Sequence, residues 1–165
     1  MIECDPVLKE SVVGVYAADR LPRKVPGYPY GFIPNTDIQT KPGQHWCAFY
    51  DDGSGHIHFF DSFGRPPSSN SEYFEKWIRE HAKTLTINRS RIQSDSSVYC
   101  GLYCILILRK LIMREKMEDI INLFDEHHTE ANDSYVFALM TLMYPECIGQ
   151  NNGQTCSSFC ANLYI

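Results

Sequence analysis

The sequence predicts an α+β fold in which helices pack against a mixed, largely antiparallel central sheet. Short apolar and aromatic runs bounded by Gly, Pro, Asn or Asp predict strands, and two of them, residues 45–50 and 56–61, flank a turn of composition Asp-Asp-Gly-Ser-Gly. A long apolar run after Cys100 predicts a buried helix, and we expect this helix to pack across the sheet.

Length and composition predict a single domain over residues 1–165, because 165 residues can bury an adequate core. Residues 149–158 are rich in Gly, Asn, Gln, Ser and Thr, so we expect a flexible tail over residues 149–165. No apolar run reaches the roughly 18 residues that a membrane span needs, and residues 1–20 lack the pattern of a secretory signal. We therefore expect an intracellular protein with no membrane partner, whose seven cysteines are mostly thiols.

The charge balance bears on nucleic-acid binding. A net charge of −5 argues against strong binding, which requires a clustered positive surface. There are two local basic groups. Residues 20–24 lie in a predicted loop, and residues 109–114 lie at the end of a predicted helix, where cations are favoured. We therefore expect no strong nucleic-acid partner.

The first part of the chain predicts short strands separated by a long loop. Residues 12–16 and 32–36 predict strands, and residues 20–34, rich in Pro, Gly and Tyr, predict an ordered loop between them. The tyrosines of this loop either wall a binding groove or cover the core, and the sequence favours neither alternative. Residues 41–43, Lys-Pro-Gly, predict a turn that leads to His45.

The hairpin places a histidine beside an aspartate. Folding it about Gly53 pairs residues whose numbers sum to 106, so that His45 lies directly opposite Asp61. Directly opposed side chains share a face and lie close enough for an imidazole–carboxylate hydrogen bond, which would fix the tautomer of the ring. A shift of the turn by one residue would put the two side chains on opposite faces.

Two further histidines, His56 and His58, alternate along the second strand of the hairpin, on one face with Phe60. We expect them on the outer face of the sheet and not as metal ligands, because no cluster of Cys and His has zinc-like spacing. The sequence therefore predicts no metal site.

The second part of the chain predicts helices and one more strand. The predicted helices cover residues 71–81, 100 to about 113, 117–124 and 133–144, and residues 84–88 predict the strand. Pro145 is expected to end the last of these helices.

Cys100 is the candidate nucleophile, because polar, turn-favouring residues precede it and the buried helix begins with it. In a first helical turn, unpaired N–H groups and the positive end of the helix dipole stabilise a thiolate, the nucleophilic form of cysteine. Ser96 or Ser97 is expected to cap the helix, and Gly101, which has no Cβ, would let a substrate backbone approach closely. The alternative is that Cys100 is only a small core residue at a helix start.

Together, Cys100, His45 and Asp61 supply a nucleophile, a base and a group that orients the base. Cys47 shares a face with His45 and is a rival nucleophile. In the middle of a strand, however, Cys47 lacks the helix terminus that would activate Cys100, so the sequence favours Cys100.

These residues occur in motifs that resemble those of the adenovirus protease (adenain) family. In the chain order His, acid, Gln, Cys, the motifs are His45-Trp46, Asp61-Ser-Phe-Gly64, Gln93 and Cys100-Gly-Leu-Tyr-Cys104. The resemblance covers roughly residues 10–110 and extends to the larger group that includes the SUMO- and ubiquitin-like-specific cysteine proteases. Residues 12–20 look most like the adenain-like proteases of Polinton/Maverick elements and related DNA viruses.

The resemblance implies an adenain-like cysteine protease fold and a role for each motif. It makes Cys100 the nucleophile, His45 the general base and acid, and Asp61 the third member of the set. The side-chain amide of Gln93 and the backbone N–H of Cys100 would form the oxyanion hole.

The resemblance also implies a substrate class. Enzymes of the family cut viral structural precursors next to glycine, which implies a narrow groove that Trp46 and Gly101 would line. A core position is an equal interpretation of Trp46. We expect a monomeric cysteine endopeptidase of the host-cell nucleus and the virion, acting in virion maturation.

Cofactors are a second expectation from the resemblance. Adenoviral enzymes are stimulated by DNA and by a peptide that becomes disulfide-linked to a cysteine shortly before the oxyanion glutamine. Here residues 83–92 contain no cysteine and the chain is acidic, so neither an activating peptide nor DNA is favoured. We expect that no cofactor is required.

Two other functions stay open from the sequence. The chain could be a deconjugase that releases a ubiquitin-like modifier ending in Gly-Gly from lysine, or a non-catalytic binding module on the same fold. The intact set of Cys, His, Asp and Gln residues speaks against the binding module.

Overall fold

The computed structural model of the 165-residue protein describes residues 1–23 and 29–148. Part of the predicted aromatic loop, residues 24–28, and the predicted tail, residues 149–165, lie outside the described residues. Within the described ranges, every helix falls short of the length and apolar character that crossing a bilayer requires.

Strands dominate the first half of the described chain and helices the second half. The strands are β1 (Val12–Tyr16), β2 (Tyr30–Pro34), β3 (Ala48–Asp51), β4 (His56–Phe60) and β5 (Thr84–Ile87). The α-helices are α1 (Pro6–Ser11), α2 (Pro67–Asn70), α3 (Glu72–His81), α4 (Cys100–Ile112), α5 (Met117–Ile121), α6 (Thr129–Met143) and α7 (Pro145–Ile148). Short 3₁₀ helices lie at Ile2–Cys4 and Ala18–Arg20.

The strands form one sheet in the order β1-β2-β3-β4-β5. The three central strands, β2, β3 and β4, pair antiparallel, whereas β1 pairs with β2 and β5 pairs with β4 in parallel. The prediction of an α+β fold with a mixed sheet is confirmed, with antiparallel pairing confined to the centre of the sheet.

Helices cover both faces of the sheet. On one face, Phe74 and Trp77 of α3 pack against Phe32 and Phe49, with ring centroids 5.0 to 5.4 Å apart. On the other face lies α4, in which every residue from Cys100 to Leu108 is buried, as expected for a helix that is apolar on all sides. The predicted packing of this helix across the sheet is confirmed.

The register of the β3–β4 hairpin differs by two residues from the predicted register. Tyr50 pairs with His58, so that partner numbers sum to 108 and not to 106. Gly53 and Gly55 both adopt positive φ, at 88° and 92°, and together they centre the turn on Ser54. A shift of two residues keeps every side chain on its predicted face.

The face of the sheet that carries His56 and His58 is covered, and the prediction of an outer face is wrong. Both lie on the same side as Phe60, which is fully buried in the cluster that contains α4. The ring nitrogens of His56 lie 2.6 and 2.9 Å from the hydroxyls of Thr84 and Thr86 on β5. Because α3 covers the opposite face, both sides of the sheet are packed.

The largest difference from a predicted helix boundary is at the start of α6, where polar residues are buried; α5 also ends at Ile121, three residues before its predicted end. α6 begins at Thr129, four residues before the predicted start at Asp133. Nδ2 of Asn132 donates to the carbonyl of Ile92 at 3.0 Å, and Oδ2 of Asp133 accepts from the amide of Ser94 at 3.3 Å. The polar first turns of α6 therefore serve to hold the loop at residues 92–94.

Three short helices, α1, α2 and α7, were not predicted. Asp5 caps α1, accepting hydrogen bonds from the amides of Val7 at 2.8 Å and Leu8 at 3.2 Å. Its other oxygen accepts from Nε of Arg109 on α4 at 2.8 Å and from the hydroxyl of Tyr144 at 2.5 Å. Asp5 therefore ties the start of the described chain to α4 and to the end of α6.

Candidate active site

Asp61, the residue after β4, is fully buried and accepts four hydrogen bonds through its carboxylate. Oδ1 accepts from Nε2 of His45 at 2.7 Å and from the amide of Phe63 at 3.0 Å. Oδ2 accepts from Nε of Arg65 and from Nδ2 of Asn70, both at 3.0 Å. These donors fix the carboxylate in position, and sequence reasoning anticipated only the contact with His45.

The contact between His45 and Asp61 is diagonal. β3 begins at Ala48, so His45 precedes the strand, and the observed register continues to Cys47 as the residue opposite Asp61. His45 lies on the same face as Cys47, two residues along, and its ring reaches the carboxylate from there. The structure thus brings the two predicted partners together, although the predicted register was wrong.

Asp61 is ionised at neutral pH. Burial alone would raise its pKa, but the hydrogen bond and charge of His45, the amide of Phe63 and the amide group of Asn70 outweigh burial and lower the pKa to about 2. An ionised carboxylate only accepts hydrogen bonds, so Nε2 of His45 carries the proton. The lone pair of a neutral His45 ring is then on Nδ1.

The low pKa of Asp61 predicts a loss of stability in acid. Because the folded pKa of about 2 lies below the ordinary value of 3.8, the stabilisation is complete above about pH 4 and is lost as pH falls through about 2. The loss should be about 2 kcal/mol, measured by urea unfolding at several pH values. Asp61→Asn should lose less stability over this pH range than the unchanged protein, and equal losses would contradict the prediction.

Phe63 covers the buried ring of His45, with ring centroids 5.0 Å apart and planes inclined by 37°. The guanidinium groups of Arg65 and Arg91 lie over the Phe63 ring, at 5.0 and 5.7 Å from its centroid. Both arginine side chains are about half exposed. Phe63 therefore separates the His45–Asp61 pair from solvent, which strengthens the hydrogen bond between them.

Cys100 is the first residue of α4 and is 6% exposed. The N-cap is Tyr99, so the prediction that Ser96 or Ser97 caps the helix is wrong. Oγ of Ser97 instead accepts a hydrogen bond at 3.2 Å from the amide of Tyr99, the residue before the first helical residue. The sulfur still occupies the first helical turn, where the helix dipole favours a thiolate.

A second cysteine on α4 places this helix start relative to His45. Cys104 lies one turn after Cys100 on the same face of the helix, and its sulfur donates to the carbonyl of Trp46 at 3.4 Å. Trp46 directly follows His45 in the chain. The contact therefore holds the face of α4 that carries Cys100 against the segment that carries the histidine.

Cys47, the rival nucleophile, is fully buried. Burial, the negative charge of Asp61 and the neighbouring Cys104 raise the pKa of its thiol well above the ordinary value, so Cys47 stays protonated and is a poor nucleophile. Ligand atoms of His45, Cys47 and Asp61 lie within 4.8 Å of one another and could hold a metal ion, as could a surface group around Cys4. That the protein uses no metal stays a prediction.

Ser62 holds Gln93 next to the residue that follows Asp61. The carbonyl of Ser62 accepts from the amide of Gln93 at 3.2 Å, and its hydroxyl donates to Oε1 of Gln93 at 2.6 Å. Nε2 of Gln93 therefore points toward Ser97, where it donates to the carbonyl at 2.9 Å and lies 3.3 Å from Oγ. The structure thus places the amide of Gln93 against the loop that leads into α4.

The two residues predicted to line a substrate groove are both buried. Trp46 is 2% exposed and pairs with Asn35 in an isolated bridge beyond the ends of β2 and β3. Gly101 is buried in the first turn of α4. Their role in a groove stays a prediction.

Comparison with known proteins shows that part of this chain is similar to proteases of viruses. No family model matches the chain. Over 96 residues, the chain is 33% identical to a cysteine protease of African swine fever virus, which covers 52% of this chain and 35% of that protein. The chain is similar to viral cysteine proteases. Over 99 residues, it is 27% identical to a putative thiol protease of Acanthamoeba polyphaga mimivirus, with 53% of this chain and 32% of that protein covered.

The similarity to these viral cysteine proteases covers part of each protein. The chain spans about a third of the length of the curated relatives that it matches. A crystal structure of the African swine fever virus protease superposes with a TM-score of 0.48 at 22% identity, covering 67% of this chain and 45% of that one. The predicted enzyme class, a cysteine-type endopeptidase, agrees with the names of the relatives.

Gly64 shapes the loop that carries Phe63 and Arg65. Its φ is 69°, and a Cβ at this position would lie 2.6 Å from the carbonyl oxygen of Arg89. We expect Gly64→Ala to lower the free energy of unfolding by about 1–3 kcal/mol and to displace the side chains that support the site. Urea unfolding and a peptide-hydrolysis assay measure the two effects. The control is Gly53→Ala, with φ of 88° at the far turn of the hairpin, which should lower stability but not activity.

Proposed function

We propose that this chain is a cysteine endopeptidase in which Cys100 is the nucleophile, His45 is the general base and acid, and Asp61 orients the histidine. The hydrogen bond of 2.7 Å between Nε2 of His45 and Oδ1 of Asp61 carries the proposal. It leaves Nδ1 as the ring nitrogen for proton exchange, while the start of α4 is held against the neighbouring residue through Cys104. A nucleophile, a base and an orienting carboxylate are what covalent acyl transfer requires.

The proposed reaction has two steps. In the first, Cys100 passes its proton to Nδ1 of His45 and attacks the peptide carbonyl carbon, whose oxygen becomes an oxyanion. The C–N bond then breaks, His45 gives its proton to the departing amine, and a thioester remains. In the second step, His45 takes a proton from water, the resulting hydroxide attacks the thioester, and the Cys100 thiolate leaves. Asp61 stays ionised and stabilises the imidazolium in both steps.

The proposed oxyanion hole consists of Nε2 of Gln93 and the backbone N–H of Cys100. Ser62 fixes the orientation of the Gln93 amide by donating to Oε1 at 2.6 Å. Of the two contacts that Nε2 makes with Ser97, the one to Oγ at 3.3 Å is the weaker, so a substrate oxygen could replace Oγ as the acceptor of this N–H.

Gln93→Ala should lower kcat/KM by on the order of 100-fold, because one donor to the oxyanion is lost. The effect should fall on kcat, since the oxyanion forms only in the transition state. The matched control is Gln39→Ala, which removes an exposed glutamine that binds Arg20. A drop in kcat/KM of less than about threefold for Gln93→Ala would remove Gln93 from the oxyanion hole.

The proposed substrates are structural precursor proteins of a virus or virus-like element, cut next to glycine. The adenain-like motifs and the viral proteases among the relatives support this proposal. Trp46 and Gly101 would line the groove around the glycine. We propose a monomer that needs no metal, peptide or DNA cofactor and acts in the host-cell nucleus and in the virion.

A second candidate function is removal of a ubiquitin-like modifier. Relatives from other isolates of African swine fever virus carry the name SUMO-1 cysteine protease and are 32% identical to this chain over 96 residues. A deconjugase would use the same Cys100, His45 and Asp61 but would require the folded modifier for efficient cleavage.

Trapping with a thiol-reactive peptide that ends in glycine tests the proposed nucleophile. The label should map to Cys100 by mass spectrometry of the digested protein, and labelling of Cys47 or Cys4 instead would overturn the assignment. Fluorogenic glycine-containing peptides and modifier-linked reporters then separate the two functions. Turnover of the peptides supports an endopeptidase, turnover of the reporters alone supports a deconjugase, and turnover of neither supports a binding module.

A further inference from the structure

A cavity of about 380 Å³ lies at the end of α4 that is opposite to Cys100. Leu111 lines it, and the rise of the helix puts Leu111 roughly 17 Å from Cys100. The strands β3, β4 and β5 contribute Tyr50, His58 and Thr86, and the connection from α4 to α5 closes the other side. The volume lies in the range of small-molecule sites, and the cavity is separate from the proposed catalytic site.

Two buried polar atoms beside this cavity have no hydrogen-bond partner among the described residues: Oη of Tyr50 and Nδ1 of His58. The two residues pair directly across β3 and β4, and their ring centroids lie 5.7 Å apart. Tyr50 is only 2% exposed. Native proteins rarely bury a hydroxyl without a partner, so this pair of atoms points to a ligand with a polar head.

The strongest charge acting on the Tyr50 hydroxyl is positive. Burial raises the pKa of Tyr50, and the charge of Arg114, which lowers it, acts more strongly than that of either Asp52 or Asp51. Lys116 also lines the cavity. Neither Arg114 nor Lys116 has an ion-pair partner among the described residues. Both cations are therefore available to an anionic ligand.

Three acidic side chains also line the cavity, and one of them, Glu115, is paired with a cation outside it. Glu115 accepts hydrogen bonds from Nζ of Lys110 at 2.9 and 3.1 Å. Asp52 accepts from the amide and the hydroxyl of Ser54 at 2.8 and 2.7 Å. Asp52 keeps its negative charge because Ser54 is neutral, so Asp52 and Glu118 balance Arg114 and Lys116 over the cavity as a whole. A carboxylate is favoured beside the Tyr50 hydroxyl, where the charge of Arg114 acts most strongly.

The deeper wall of the cavity is apolar, formed by Leu111 and Met117, which are 2% and 4% exposed. Burial and the neighbouring His56 lower the pKa of His58, so its ring is neutral at neutral pH. A neutral imidazole donates through one of its nitrogens. His58 and Tyr50 therefore offer two neutral donors beside the apolar deeper wall.

We propose that this cavity binds a ligand with a carboxylate head and a compact apolar body. Oη of Tyr50 and Nδ1–H of His58 donate to the carboxylate, and Arg114 and Lys116 neutralise its charge. The apolar body fills the space against the deeper wall. Small organic acids and the C-terminal residues of peptides share this chemistry.

Isothermal titration calorimetry of the full chain with 3-phenylpropionate and 3-phenylpropanamide tests the carboxylate. The acid should bind about tenfold more tightly than the amide, because charge-assisted hydrogen bonds are the stronger ones. N-acetylphenylalanine and its amide form a second pair. Tighter binding of N-acetylphenylalanine than of 3-phenylpropionate indicates that the natural ligand is a peptide C-terminus. Tighter binding of 3-phenylpropionate indicates a small organic acid. Either result supports a carboxylate site. Equal binding of acid and amide in both pairs would overturn the proposal.

Variants locate the binding. Tyr50→Phe and Arg114→Asn should each weaken binding of the acid by about tenfold, because each removes one partner of the carboxylate. Asn is chosen because Arg114 has φ of 69°, a conformation that Asn tolerates. Acid binding that neither variant weakens would place the ligand elsewhere and overturn the proposal.

Tyr50→Phe has a second readout that a structural role of the hydroxyl would not give. Because this hydroxyl has no partner among residues 1–23 and 29–148, its removal should raise the Tm of the unliganded protein. The matched control Tyr103→Phe should lower the Tm, since the Tyr103 hydroxyl lies 2.9 Å from Oδ1 of Asp133 and 3.0 Å from the carbonyl of Ile92. A lower Tm for Tyr50→Phe would mean that its hydroxyl is already satisfied, and would overturn the site.

Discussion

Replacing Cys100 with Ala is expected to abolish peptide hydrolysis, with a loss in kcat/KM of about 10⁴-fold or more. Without the sulfur no thioester forms, and the remaining rate comes from substrate binding and the oxyanion donors alone. Cys100 is a small residue in the first turn of α4, so the Tm should change by only a few degrees. The measurements are hydrolysis of a fluorogenic glycine-containing peptide and calorimetric unfolding.

Cys47→Ala is the matched control for this experiment. It removes a thiol that is also buried and lies on the same side of the sheet as His45, but whose pKa is raised well above the ordinary value by burial and by Asp61. This variant should keep kcat/KM within about tenfold of the unchanged protein, because a protonated thiol takes no part in the reaction. Loss of activity in Cys47→Ala together with retention in Cys100→Ala would reverse the assignment of the nucleophile.

The His45–Asp61 pair could be predicted from the sequence because alternation along strands sets the face of a side chain. The turn geometry then sets the register, and here the positive φ of both Gly53 and Gly55 moved it by two residues. A two-residue shift keeps both side chains on the same face of the sheet, so they still meet. A one-residue shift would have placed them on opposite faces. The start of α4 at Cys100 was predictable for a similar reason, since polar turn residues meet an apolar run there.

The rest of the site depends on contacts that the sequence does not reveal. Arg65 and Asn70 reach Asp61 only because the loop after β4 folds back on its own carboxylate. The spacing of four residues between Asp61 and Arg65 is weak evidence for an ion pair, because the two side chains meet only if the loop between them turns back. Asn88, the residue after β5, accepts from the amide of Asp61 through Oδ1 and donates to the carbonyl of Asp61 through Nδ2. Such long-range contacts follow from the assembled sheet and not from local composition.

The two sites proposed here lie at opposite ends of α4, and the same packing produces both. At the amino end, the helix is held by Cys104 against Trp46, next to His45. At the carboxyl end, the helix stops at Ile112, and the connection to α5 leaves the cavity above Tyr50. The helix that joins the two sites is buried from Cys100 to Leu108, so acid binding in the cavity should be tested for an effect on peptide hydrolysis.

Asp61→Asn is expected to lower kcat/KM by on the order of 10³- to 10⁴-fold. One carboxylate oxygen accepts from His45, and the other accepts from Arg65 and Asn70, so both oxygens face donors. An asparagine amide has one oxygen and one NH₂ group, so one side must place a donor against a donor. If the NH₂ group faces His45, Nε2 must accept, and the proton moves to Nδ1, the nitrogen that has to take the proton of the nucleophile.

If the NH₂ group faces Arg65 instead, His45 keeps its tautomer but loses the negative charge that stabilises the imidazolium. Both orientations lower activity, and because they leave a buried donor without an acceptor they also lower the free energy of unfolding by about 3–5 kcal/mol. Assays must therefore run below the Tm of the variant, over a range of pH, so that loss of fold and loss of the base are distinguished.

Asp125→Asn is the matched control for Asp61→Asn. Asp125 binds Nδ1 of His128 at 2.8 Å in an aspartate–histidine pair that is exposed. Removing its charge should leave both hydrolysis and stability nearly unchanged, because surface ion pairs contribute little. Equal effects of the two substitutions on kcat/KM would mean that the buried carboxylate does not orient His45. A selective loss in Asp61→Asn, with its pH profile changed as well, is the result expected if Asp61 determines which nitrogen of His45 carries the proton.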